Sequence, residues 1–323
     1  MPVLVTGVAG FIGFHVARAL MRQGETVIGI DNLNSYYDVG LKRARLAVLE
    51  REARFSFFKV DLADRVAMAE FTRSCYSVDR IVHLAAQAGV RYSLLDPYAY
   101  VASNIMGHLA ILEMARALPD LRHLVYASSS SVYGGDLEAP FRESERIERP
   151  LSLYAATKRA DELMSAAYDH LFGIPQTGLR FFTAYGPWGR PDMAYYAFAK
   201  AITQGEEIQL FDHGRLKRDF TYIDDIVDGV IRCLDRPPSS ADGARLINIG
   251  NNRPEEVSYL VQCLEKAIGK KAMIRTLPCP LTDVQETAAD ITLIHELTGF
   301  KPRTELDEGI RRFVAWFRDY HRV

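Results

Sequence analysis

Short apolar runs rich in β-branched residues punctuate the first 180 residues: Pro2–Thr6, Thr26–Ile30, Phe55–Val60, Arg80–Ala85, His123–Ala127 and Thr177–Phe181. Longer stretches with helical spacing lie between them, as at residues 11–22, where Ile12, Val16 and Leu20 recur on one face. Strand and helix in strict alternation predict an α/β fold, a doubly wound parallel sheet with right-handed crossovers. In such a sheet, ligands bind at the carboxyl ends of the strands. After residue 186 the rhythm changes, and turn-rich pieces (YGPWGRPDM, DRPPSSADG, GNNRPEE) separate short strands from helices. The pattern predicts a first lobe over residues 1–185 and a smaller α/β substrate-binding lobe over 186–323. The two partly interleave, because RLINIG (Arg245–Gly250) reads as one more buried strand.

With 323 residues, 48% of them hydrophobic and 25% charged, the chain can bury a sizeable core without metal or disulfide staples. A formal charge of −2 offers no long-range field for nucleic acid or an anionic membrane, so anionic ligands must be held by local groups. Cys75, Cys233, Cys263 and Cys279 show neither C-x-x-C spacing nor closely spaced histidine partners, which points away from a metal site. The apolar opening MPVLVTGVAGFIG has no basic leader and is interrupted by three glycines, unlike a signal peptide. No run reaches the ~18 apolar residues of a membrane helix. A reducing cytoplasm is the expected location.

Those three glycines carry the first chemistry. Gly7, Gly10 and Gly13 follow the first strand and open the first helix, with Phe11 and Ile12 between them. Glycines there let the backbone approach a pyrophosphate, which then meets the N–H groups of the helix terminus. Asp31 closes the second strand, with Asn32 beside it. A carboxylate at that position accepts from both adenosine ribose hydroxyls and repels a 2′-phosphate, so the cofactor expected in this Rossmann-type lobe is NAD rather than NADP. Asp61 and Leu62, after the third strand, are expected near adenine. Leu84, Ala85, Ala86 and Gln87 end the fourth strand, mostly in small residues that let the cofactor pass.

The fifth strand runs into four serines, Ser128 to Ser131, and a helical stretch beyond them holds Tyr154 and Lys158. Positions i and i+4 share a helix face, and many helices carry such a pair without consequence. Following a strand end full of hydroxyls, the pair reads as catalytic. A lysine ammonium and the positive nicotinamide ring both favour a phenolate, making Tyr154 a general base, while a serine hydroxyl orients the substrate alcohol.

Thr6–Gly13 as T-G-x-x-G-x-x-G, the serines before Val132-Tyr133-Gly134, and Tyr154-x-x-x-Lys158 together resemble the extended short-chain dehydrogenase/reductase family over essentially the whole chain. By that resemblance Ser129 is the catalytic serine, with Ser128 and Ser130 as its neighbours in contention. Nucleotide-sugar members share an opening oxidation at C4 of the sugar. Dehydratases and decarboxylases of the family add acidic residues where this chain has Ser130 and Ser131, so 4-epimerisation remains. The segments DNLNSYYDVGLKRARL, YGPWGRPDMAYYAF and RLKRDFTYIDDIVDGV resemble UDP-glucuronate 4-epimerases.

The likeness implies a UDP-sugar substrate contacted by Ser129 and Ser130, with Thr183 and Arg190 near a C5 carboxylate and Arg91 near the sugar or diphosphate. Arg218 would hold the UDP phosphates and Asp290 would lie near the uridine. Thr282 and Ala288 stand where relatives carry a glycine and a tyrosine. A homodimer formed through helices within residues 96–117 and 151–172 is also implied. The rival readings are a UDP-glucose or promiscuous 4-epimerase, and a non-catalytic NAD sensor.

Overall fold

The computed structural model describes every residue except 76, 240–242 and 280–283, which places Thr282 outside the described residues. Six strands follow the six apolar runs: β1 (Val3–Thr6), β2 (Val27–Asp31), β3 (Phe55–Lys59), β4 (Arg80–His83), β5 (His123–Ser129) and β6 (Gln176–Phe181). Between them run α1 (Phe11–Arg22), α2 (Val39–Leu49), α3 (Arg65–Ser74), α4 (Pro97–Tyr100), a π-helical segment (Val101–Met106), α5 (Gly107–Ala117) and α6 (Leu153–Phe172). Local chemistry fixes their starts. Asp38, Asp64 and Ser152 accept from first-turn N–H groups of α2, α3 and α6, and Gly173 ends α6 in the left-handed conformation.

The second half adds β7 (Thr183–Tyr185), α7 (Ala194–Gln204), β8 (Glu207–Phe211), β9 (Lys217–Tyr222), α8 (Ile223–Leu234), β10 (Arg245–Ile249), β11 (Pro254–Glu256), α9 (Val257–Ile268), β12 (Met273–Leu277), α10 (Thr292–Thr298) and α11 (Leu306–His321). RLINIG does join the first sheet. β10 pairs in parallel with β6, completing a seven-stranded order β10-β6-β5-β4-β1-β2-β3. A three-stranded sheet β11-β9-β7 and a parallel pair β12-β8 lie apart from the main sheet.

Strand alternation divides the interior. Val3, Val5, Val82 and Val125 face one core, while Leu4, Ile81 and Leu124 face the other, beneath α3 and α5. The first core runs without interruption through α1 and α8 into the aromatic packing of α7 and α11, where Tyr195, Phe313 and Phe317 are buried. One shared core therefore joins the main sheet to the C-terminal part of the chain.

Candidate active site

A cavity of about 440 Å³ opens at the carboxyl ends of the main-sheet strands, within the range of small-molecule sites. Gly7, Gly10, Phe11, Ile12 and Gly13 line it. Gly7 has φ +67°, and a Cβ on it would stand 2.7 Å from Ala85 N; a Cβ on Gly13 would overlap the Gly7 carbonyl oxygen. The loop is closed on itself as far as backbone allows. No side chain caps α1, so its first-turn N–H groups keep no side-chain partner.

Asp31 is buried at the end of β2, accepting from Ala9 N at 3.1 Å and Leu33 N at 2.8 Å. Burial raises its pKa, against the pull of the Leu33 amide and the Lys42 charge. Asn32 donates to Asp61 at 3.1 Å, and Asp61, Leu62, Leu84, Ala85, Ala86 and Gln87 continue the lining. The glycine cradle, the helix terminus and this carboxylate fit a dinucleotide.

The serine run is sorted by its partners. Ser128 also lines the cavity, and its Oγ donates to buried Glu162 at 2.6 Å. Ser129 Oγ accepts from Ser131 N at 3.2 Å, and Ser129, Ser130 and Ser131 line the cavity with Tyr154 and Lys158. Tyr154 is half-buried and meets Tyr100 edge-on at 6.1 Å. Lys158 is buried, its ammonium held by Ala127 O at 2.9 Å and Asp161 Oδ2 at 3.0 Å.

Thr183, Arg190 and Arg218 complete the lining. Arg190 is not alone. Its Nε lies 3.0 Å from Asp192 Oδ1, its Nη2 meets Asp192 Oδ2, and Tyr36 donates to that same oxygen at 3.0 Å. Burial pushes the Asp192 carboxyl up, but the Arg190 charge outweighs it and holds the group below the usual range. Arg91 lies outside the lining, exposed, with its guanidinium 4.5 Å over the Phe211 ring. Asp290 is also outside it, 3.1 Å from Arg142 Nε. Ala288 is buried beside the cavity residue Thr287.

A family model described as the NAD dependent epimerase/dehydratase family matches residues 3–250. The chain belongs to that family. Among family relatives, a probable UDP-glucuronate 4-epimerase of Rhizobium meliloti is 44% identical over all of this chain and 98% of its own length. UDP-glucuronate 4-epimerase 4 of Arabidopsis thaliana is 46% identical over 99% of this chain and 76% of its own. The crystal structure of UDP-glucuronic acid 4-epimerase from Bacillus cereus in complex with UDP-glucuronic acid and NAD superposes with a TM-score of 0.92. It is 33% identical and covers 99% of this chain and all of that one.

Several residues that shape this epimerase-family site leave no mark in the sequence pattern. Asn104, in the π-helical segment, bonds both Gln87 N (2.8 Å) and Thr157 Oγ1 (2.9 Å), tying the β4 loop to the helix that carries Tyr154. Asp219, fully buried beside Arg218, accepts from Asn251 N, Asn252 N, Ala289 N and Thr221 Oγ1 at 2.6–3.0 Å and so gathers three chain segments. Arg180 forks onto Glu162 at 2.8 and 2.9 Å and reaches Tyr133 at 3.0 Å, which donates to Asn248 on β10 at 2.7 Å. That buried chain links the serine strand to the edge strand. Of its members only Tyr133, in the Val132-Tyr133-Gly134 motif, stands out in the sequence.

Proposed function

We propose that this protein is a UDP-glucuronate 4-epimerase that interconverts UDP-glucuronate and UDP-galacturonate through a transient 4-keto sugar. The observation that carries the reading is the convergence of Ser129, Tyr154 and Lys158 on the same cavity as the glycine loop, Asp31 and Arg190. The relatives' names add the sugar. NAD, held by Gly7, Gly10, Gly13 and Asp31, supplies reversible hydride chemistry at C4.

The protein's residues handle the proton and the pose. Tyr154 takes the C4 hydroxyl proton and returns it after the sugar has turned over about its link to the diphosphate. Lys158 supplies positive charge from a position fixed by Ala127 O. Ser129 presents a hydroxyl that Ser131 N already orients. Ser130 and Ser131 offer no carboxylate, so nothing at the strand end drives elimination. Arg190 and Thr183 hold the C5 carboxylate in one orientation, which disfavours its loss from the β-keto acid, and Arg218 binds the diphosphate.

Two further parts of the reading concern assembly and place. α4 and α5 each pack against α6, and Leu95 (79% exposed), Tyr98 (83%) and Leu163 on or beside these helices remain on the surface, apolar positions suited to contact with a second copy of the chain. Cys75, Cys233 and Cys263 are buried, free thiols, which suits a reducing cytoplasm. Among the described residues no helix is long and apolar enough to cross a membrane.

The test is incubation of the purified protein with UDP-glucuronate and no added NAD. Appearance of UDP-galacturonate is expected. An unchanged sugar, even after NAD is supplied, refutes the reading. Tyr154→Phe should keep its NAD and lose turnover.

A further inference from the structure

Asp161 lies one turn beyond Lys158 on α6 and is completely buried. Its Oδ2 is 3.0 Å from Lys158 Nζ, while its Oδ1 finds no hydrogen-bond partner among the described residues. Desolvating a carboxylate and leaving one oxygen unpartnered is costly. Ala127 O already fixes the lysine from the strand side at 2.9 Å. Simple anchoring therefore does not account for a second, charged partner.

The charged and titratable groups around this pair come from α6 itself and four elements around it. On α6 the nearest other acid is Glu162, which Arg180 of β6 holds ionised by two hydrogen bonds. From α5 and β4 come His108 and His83, stacked at 5.3 Å. Burial above all, with the Lys158 charge adding to it, lowers both imidazoles, His108 to about 3. From β5 comes Tyr126, whose phenol burial pushes up. Asp161 itself is raised to about 6 by burial, against the pull of Lys158. The acid in direct hydrogen-bonding contact with the Lys158 ammonium is thus Asp161.

We propose that Asp161 is a positioning residue that tempers the Lys158 charge felt by Tyr154, setting the pH at which the phenolate forms. This deepens the functional reading and rests on Tyr154 as its acid–base group. Tyr154 and Asp161 are seven residues apart on one helix, a rise of about 10.5 Å. A unit charge at roughly that distance, in an effective dielectric of about 20, shifts an ionisation by about one pH unit. Removing a negative charge favours the phenolate, so the shift is downward.

The experiment is a phenolate absorbance titration near 295 nm on the NAD-loaded protein, taking the difference from Tyr154→Phe in each background. Asp161→Asn should lower the midpoint of the Tyr154 signal by about one pH unit, and Asp161→Glu should stay near wild type. Asp161→Ser also removes the charge and serves if the Asn form does not accumulate. A midpoint that is unmoved or higher without the charge overturns the proposal. No substrate is used, so a failed sugar assay refutes only the substrate reading and an unmoved midpoint refutes only this one.

Discussion

Arg190→Ala separates the sugar carboxylate from the rest of the substrate. Two losses add. The guanidinium's hydrogen bonds to a carboxylate contribute about 1.5–3 kcal/mol. In addition Asp192, with its side chain 28% exposed, loses the bidentate partner that neutralises it and is left facing the sugar's own negative charge. Partial exposure limits that repulsion to about 1 kcal/mol. Together they predict a fall in kcat/KM for UDP-glucuronate of about two to three orders of magnitude. UDP-glucose, which lacks the carboxylate, should change by less than about threefold on the same reasoning. Arg190→Ala with Asp192→Ala should recover about fivefold for UDP-glucuronate by removing the stranded acid. The assay is steady-state kinetics on both sugars with chromatographic product analysis at fixed salt. Equal losses on the two sugars, or a double variant worse than the single one, would refute the assignment of Arg190 to the carboxylate.

Three other expectations concern the frame of the site. Gly13→Ala places a Cβ on the Gly7 carbonyl and must displace the phosphate loop, so purified variant should carry at least about tenfold less NAD, measured after acid release; full occupancy would contradict the close-approach argument. Glu162→Ala leaves the Arg180 guanidinium buried and unpaired and should cost about 3–5 kcal/mol in urea unfolding, whereas a loss below about 1 kcal/mol would show that Arg180 does not depend on it. His123, bonded to Leu234 O and Thr177, is held by burial at about 4, below its ordinary 6.5. The unfolded chain takes up that proton first, so stability is full above pH 6.5 and falls as pH drops towards 4. Between pH 7 and 5 this group alone should remove about 2 kcal/mol, a loss that His123→Gln escapes when urea midpoints are compared.

The sheet was readable because its strands are apolar runs bounded by turns, and the helix at residues 11–22 has the same bounds in both readings. RLINIG stood out for the same reason. The polar framework was not readable. Asn104 meets Thr157 53 positions away, Tyr133 meets Asn248 115 away, and Asp219 meets Ala289 70 away; no local period encodes such pairings. Serine identity was equally hidden, since four adjacent hydroxyls differ only in what surrounds them: Ser128 meets Glu162, whereas Ser129 meets Ser131. Arginine placement followed chain geometry. Arg190 shares the cavity wall, whereas the loop at residue 91 turns its guanidinium outward onto Phe211.

Because β10 comes from residues 245–249 and seals the exposed edge of β6, the main sheet is incomplete until most of the polypeptide has left the ribosome. A nascent chain stopped near residue 185 would present the outer edge of β6, a strand buried along its whole length, without its partner, and Tyr133 would lack Asn248. Expression of the first 185 residues alone should therefore yield aggregate rather than a miniature nucleotide-binding protein, and co-translational folding must wait for a distant segment to arrive.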